Sequence, residues 1–134
     1  MRALIIGSSV VARQIGESLN EKVEKLVFLD SDSYKFHSWD LFKEDNISFQ
    51  SGDIQKMDTL LDAGLEESDI VVVDAGEDAV SLFVAQKCKI NLSTSIFIVL
   101  DDMSISDIYQ DSGFVILDSH NLSSNKIIKH LEKF

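Results

Sequence analysis

The sequence predicts an α/β fold, a Rossmann-like doubly wound parallel sheet of six strands with helices on both faces. Three observations point to it: six apolar runs of strand length recur along the chain, most are continuous rather than alternating, and segments with helical spacing separate them. Continuous apolar runs suit parallel strands covered on both faces, and strict alternation of strand and helix implies a doubly wound sheet with right-handed crossovers. A length of 134 residues, 45% of them apolar, fits one domain over 1–134 with a substantial buried core.

The first strand is read at "RALIIG", residues 2 to 7, which ends on glycine. The helix after it carries Ala12 and Gly16 four apart on one face, small enough to lie close against a sheet. "KLVFLD" (25 to 30) is the second strand, and Ser33 is placed to cap a helix from Tyr34 to Phe42. "ISFQ" (47 to 50) is the third. Met57, Leu60 and Leu61 share a helical face, and Gly64 is a stop signal before Leu65. "DIVVVD" (69 to 74) is the fourth strand, followed by a stripe of Val80, Phe83, Val84 and Cys88 at helical spacing. "SIFIVLD" (95 to 101) and "GFVILD" (113 to 118) complete the strands, and Leu122, Ile127, Ile128 and Leu131 form a closing amphipathic helix. No proline interrupts any of these elements.

Composition narrows the partners. A formal net charge of −11 repels phosphate backbones, so nucleic acid and anionic lipid are excluded as expected partners. No apolar run reaches the roughly 18 residues of a membrane span, and none has the layout of a signal peptide, so the expected location is cytoplasmic. The single Cys88 has no internal disulfide partner and reads as a core residue. His37, His120 and His130 form no ligand cluster, so no metal site is expected. The turn "GSSVV" is not the Gly-x-Ser-x-Gly elbow of a serine hydrolase, and no catalytic residue is assigned.

In doubly wound sheets ligands bind beyond the carboxyl ends of the strands, where strand order reverses. The first strand leads there into Gly7-Ser8-Ser9-Val10-Val11-Ala12, close to the Gly-x-Gly-x-x-Gly/Ala turn that cradles a pyrophosphate against the first N–H groups of a helix. Asp30 follows Gly7 by 23 residues, near the spacing of an acid that accepts hydrogen bonds from a ribose diol. A carboxylate there also repels a 2′-phosphate, which favours an NAD-like or adenosine ligand over NADP. Asp53 is positioned to meet an adenine edge. The candidate nucleotide contacts are Gly7, Ser8, Ser9, Val10, Val11, Asp30, Ser31, Gly52, Asp53, Ile54, Ala75, Gly76 and Asp78. Asp74, Asp101 and Asp118 read as residues that begin the next turn.

Taken together, "GSSVVA", Asp30, Gly52-Asp53 followed by Leu61-Asp62-Ala63-Gly64, and "SDIVVVDAGED" resemble the TrkA-N or KTN family, the N-terminal regulator of potassium conductance (RCK) domain. The likeness covers practically the whole sequence. It implies a non-enzymatic cytoplasmic sensor of a potassium channel or a Trk/Ktr-type uptake system. Such a domain binds NAD(H), ATP, ADP or AMP, assembles as a homodimer or larger ring, and passes a conformational change to a membrane subunit. Phosphoesterase-like or other modules are also joined to such domains. The family's companion C-terminal domain has no counterpart in this sequence, which implies a stand-alone subunit or part of a longer one.

Three residues depart from the family pattern. Ser9 replaces the second glycine, which lets backbone approach the pyrophosphate; Ser81 stands for the helix-start asparagine; and Leu100 stands for an arginine at the end of the fifth strand. These departures favour a mononucleotide, or a weakly held NAD(H), over NADP. They also motivate one alternative, a Rossmann domain without ligand that acts in dimerisation or docking; a second alternative, independent of them, is the cofactor half of an NAD-dependent oxidoreductase. For the latter the chain offers neither a substrate domain nor an acid/base residue.

Overall fold

The computed structural model describes residues 1–32, 36, 39, 44–90, 95–121 and 129. Its six strands are β1 (Arg2–Ile6), β2 (Lys25–Asp30), β3 (Ile47–Ser51), β4 (Ile70–Val73), β5 (Ile96–Leu100) and β6 (Phe114–Asp118). They form one sheet in the order β3-β2-β1-β4-β5-β6, every pairing parallel. This is the Rossmann-like architecture expected, with strand order reversing between β1 and β4. The helices read for Tyr34–Phe42 and for Leu122–Leu131 lie outside the described residues.

The apolar runs sort by place in the sheet. Ala3–Ile6, Leu26–Asp30, Ile70–Val73 and Ile96–Leu100 are buried throughout, as strands covered on both faces must be. Edge strand β3 is only half-buried. On one face α1 (Val10–Asn20) buries Ala12, Ile15, Gly16 and Leu19, next to Phe28, Phe36 and Trp39. Gly16 fixes how close α1 lies, because a Cβ there would come within 2.3 Å of the Phe28 ring. On the other face pack α2 (Met57–Asp62), α3 (Asp78–Ile90) and residues of the short α4 (Ser106–Asp111).

Helix α2 stops where the sequence signals it. Gly64 has φ +94°, Leu65 N–H donates to Leu60 O (3.1 Å) and Gly64 N–H to Leu61 O (3.0 Å). This is a Schellman motif, with Leu60 and Leu65 both buried beneath it.

The stripe read on α3 needs correction. Val84 and Cys88 are buried and Val80 is half-buried, but Phe83 is 47% exposed with Lys87 Nζ 5.2 Å from its ring centroid. The inward face is instead Ser81, Leu82, Val84, Ala85 and Cys88, because three hydrogen bonds fix the rotation of the helix. The Ser81 hydroxyl accepts from Ala75 N–H (2.8 Å), while Asp78 accepts from Asp101 and Asp102 N–H at 2.9 Å each. Phe83 then falls on the far side. Cys88 is a core residue, its thiol pushed up to about 12 by burial.

Candidate functional site

The ends of β1, β2 and β4 converge on the β1–α1 turn. Backbone pairing continues past the strands: Gly7 N–H donates to Leu29 O (2.8 Å), Asp74 N–H to Ile6 O (2.8 Å) and Gly52 N–H to Asp30 O (3.1 Å). Gly7 has φ +136°, and a Cβ on it would stand 1.9 Å from the Asp74 carbonyl oxygen. Only glycine fits there, for conformation and for space. Ser9 then adopts extended backbone (φ −70°, ψ 168°) and is the N-cap of α1, its Oγ accepting from Ala12 N–H at 3.0 Å.

The two turn serines point to different acids. Ser8 donates its hydroxyl to the Asp30 carboxylate, and Ser9 donates to the Asp74 carboxylate. Asp30 is buried, and its other oxygen accepts from the Ser31 N–H and hydroxyl. Asp74 is half-buried, and burial is the main cause that raises its carboxyl above the usual range. Hydrogen bonds from Ser9 and the Gly76 backbone pull it back down, and the charges of Asp101 and Asp78 add to the rise. Asp102, fully exposed, is lowered by its hydrogen bonds to the Ser104 side chain and backbone.

The other sequence candidates divide. Val10 is 71% exposed at the first turn of α1, whereas Val11 packs against the apolar cluster. Gly52 follows β3 beside Asp30, and Asp53 is exposed, with its carboxylate accepting from Gln55 N–H at 3.0 Å. The Ile54 side chain is part of the apolar core. Ala75 and Gly76 follow Asp74 at the switch point, and a Cβ on Gly76 would meet nothing within 4 Å, so the space above that turn is open. The carboxylate of Asp78 ties α3 to the end of β5. The residues brought together are therefore Gly7, Ser8, Ser9, Asp30, Ser31, Gly52, Ala75 and Gly76.

Sequence reasoning missed Asp74. The sequence places it as a turn residue, yet it meets Ser9 across 65 positions of sequence. The available signal was topological, since in this strand order the residue after β4 must stand beside the turn after β1. Of the other two strand-end acids, Asp118 begins a turn with His120 N–H at 2.9 Å, and Asp101 accepts from the Ser119 hydroxyl.

Away from this end, a cavity of about 250 Å³ lies where β1 and β2 begin, lined in part by Arg2, Lys25, Gln50, Gly64 and Ser68. No described helix is long and apolar enough to cross a membrane.

Solved structures share this architecture at low identity. The TrkA-N domain of the inner membrane protein ybaL from Escherichia coli superposes with a TM-score of 0.72 at 13% identity, over 98% of this chain and 94% of that one. The NAD(P)-binding domain of an exopolyphosphatase-related protein from Archaeoglobus fulgidus gives 0.72 at 12%, over 98% of each. The GsuK channel bound to NAD gives 0.69 at 12%, over 86% of this chain, which spans 21% of that one. The model of the TrkA-N domain matches residues 3–118, and the chain belongs to the TrkA-N domain family.

Proposed function

We propose that residues 1–134 form a single TrkA-N domain that works as a regulatory nucleotide-binding module rather than an enzyme. It binds an adenine nucleotide or NAD(H) at the carboxyl ends of β1, β2 and β4. The observation that carries this reading is Asp30, a buried carboxylate at the end of β2, held beside the β1–α1 turn by Ser8. A ribose diol would take the place of the Ser8 and Ser31 hydroxyls on that carboxylate, exchanging one set of hydroxyl donors for another. Gly76 leaves open space above the neighbouring turn. The likeness to the GsuK channel bound to NAD supports the ligand class and a channel subunit as partner; a potassium channel or transporter as that partner, a cytoplasmic location and self-association as a homodimer or ring are part of the proposal. The net charge of −11 supports the exclusion of nucleic acid.

Isothermal titration with NAD⁺, NADH, ATP, ADP and AMP tests the reading. Saturable binding of at least one is expected, and no binding of any at millimolar concentration would refute it. A second reading, a ligand-free domain used for dimerisation or docking, is favoured by the engagement of Ser9 with Asp74 and Ala12. It expects a thermal midpoint unmoved by any nucleotide, because a ligand that binds only the folded state must raise it.

A further inference from the structure

A phosphate reaching the β1–α1 turn would meet two features that a glycine-rich turn lacks. The Ser9 Oγ already accepts from Ala12 N–H, one of the donors that the start of α1 would otherwise offer to an anion. The same hydroxyl donates to Asp74, which brings a carboxylate to the helix start. The geometry points to Asp74 as the residue that sets ligand specificity at this site: its carboxylate supplies the negative charge at the turn, so the site prefers an adenosine moiety with no phosphate there over a diphosphate or dinucleotide. This inference rests on the nucleotide-binding reading above and specifies which members of that ligand class bind well.

The surroundings of Asp74 reinforce the effect. From β1 and α1 it faces the Ser9 hydroxyl and the positive end of the helix. From its own turn it faces Gly76 N–H and, further along, Asp78. From the end of β5 it faces Asp101, a like charge. Asp30 stands on the other side of the turn, on Ser8. Arg13, the cation on the second turn of α1, is 3.5 Å from Glu17. The hydrogen-bonding groups named here, Ser9 and Gly76 N–H, are neutral, and the charged side chains acting on Asp74 are acids. Addition of a phosphate therefore places like charges together in a partly buried site, where Coulomb repulsion is much less screened than in water. Protonation of Asp74 relieves that repulsion, and its raised carboxyl brings the relief closer to neutral pH.

The test is isothermal titration of adenosine, AMP, ADP and NAD⁺ into the wild-type chain, Asp74→Asn, Asp74→Ala and Asp30→Ala. The wild type is expected to bind adenosine at least as tightly as ADP or NAD⁺. Asp74→Asn keeps an acceptor for Ser9 and is expected to bind ADP and NAD⁺ at least about tenfold more tightly, with adenosine unchanged to within about twofold, since only the charge has been removed. The wild type is also expected to bind NAD⁺ more tightly as pH falls toward the Asp74 carboxyl range, and Asp74→Asn to lose that trend. This arm needs no variant to fold, and Asp74→Ala serves should Asp74→Asn not. Equal binding of NAD⁺ by wild type and both variants, with no dependence on pH, would overturn the role of Asp74 while leaving the nucleotide site standing. Weaker adenosine binding in Asp30→Ala, with adenosine binding retained in the Asp74 variants, supports a ligand seated on Asp30 with the Asp74 effect confined to phosphate. Absence of binding by every chain to every ligand would remove the nucleotide reading and this inference with it.

Discussion

Ser8 and Ser9 are neighbours in one turn, and each donates its hydroxyl to an aspartate at the end of an adjacent strand, Asp30 of β2 for Ser8 and Asp74 after β4 for Ser9. The chemistry of the two pairs is the same. Under the proposed function their consequences differ, because a nucleotide would bring different groups to each side. On the β2 side it would bring hydroxyl donors, and a carboxylate held by serines could exchange partners. On the β4 side it would bring anionic oxygens, with which a carboxylate would compete. The proposal thus assigns one half of the turn to ribose and sets the other against phosphate, so the value of a contact depends on the ligand as much as on the contact itself.

The turn's own integrity is the point at which both halves break together. Gly7→Ala places a Cβ against the Asp74 carbonyl at a φ of +136°. The expected loss is roughly 3 kcal/mol or more, with steric overlap added to backbone strain, as measured by denaturant unfolding. Next in size is Asp30→Ala, which removes only the ribose half. Nucleotide affinity should fall by about 1.5–3 kcal/mol, the loss of hydrogen bonds to a charged group, while the binding that remains keeps its response to Asp74 substitutions.

Smaller effects separate the two serines. Ser9→Ala removes the N-cap of α1 and should cost roughly 0.5–2 kcal/mol in chemical denaturation, whereas Ser9→Gly should cost only a few tenths, the usual ranking at that position. Ser8 caps nothing in α1, so Ser8→Ala should leave helix stability closer to wild type. Smallest is the pH dependence of stability. Asp74 has its carboxyl raised above the ordinary value of 3.8, so the folded chain holds that proton more tightly than the unfolded chain. Its contribution therefore decreases as pH rises from the ordinary value through the raised one, and Asp74→Asn should flatten that part of the stability profile. A steeper fall in the variant would contradict the assignment.

Much of the fold was legible because the central strands are covered on both faces. Burial on two sides forces continuous apolar runs, and these end within a residue or so of the observed strands. Gly64 was legible as a helix stop because its signal is local. Phe83 was not, since spacing gives the width of an apolar stripe but not which side meets the sheet, and the rotation of α3 is set by Ser81 and Asp78 through contacts outside the helix. The side-chain direction of Ile54 was not legible for a similar reason: it follows Gly52-Asp53 in sequence, yet its side chain turns into the core. The Ser9–Asp74 pair needs knowledge that β1 and β4 are neighbours, which no local pattern carries. Ser9 read alone suggests either a phosphate donor or an obstruction. In the fold its hydroxyl is already engaged on both sides.

The central claim is that ligand binds at the carboxyl ends of the strands, around the β1–β4 switch point. Backbone amide NMR during titration with AMP tests it most directly. The account predicts shifts concentrated at Gly7 to Ala12, Asp30, Ser31, Gly52, Ala75 and Gly76. Shifts confined to the opposite end, at Arg2, Lys25 and Ser68 around the cavity there, or no shifts at all at saturating AMP, would contradict it.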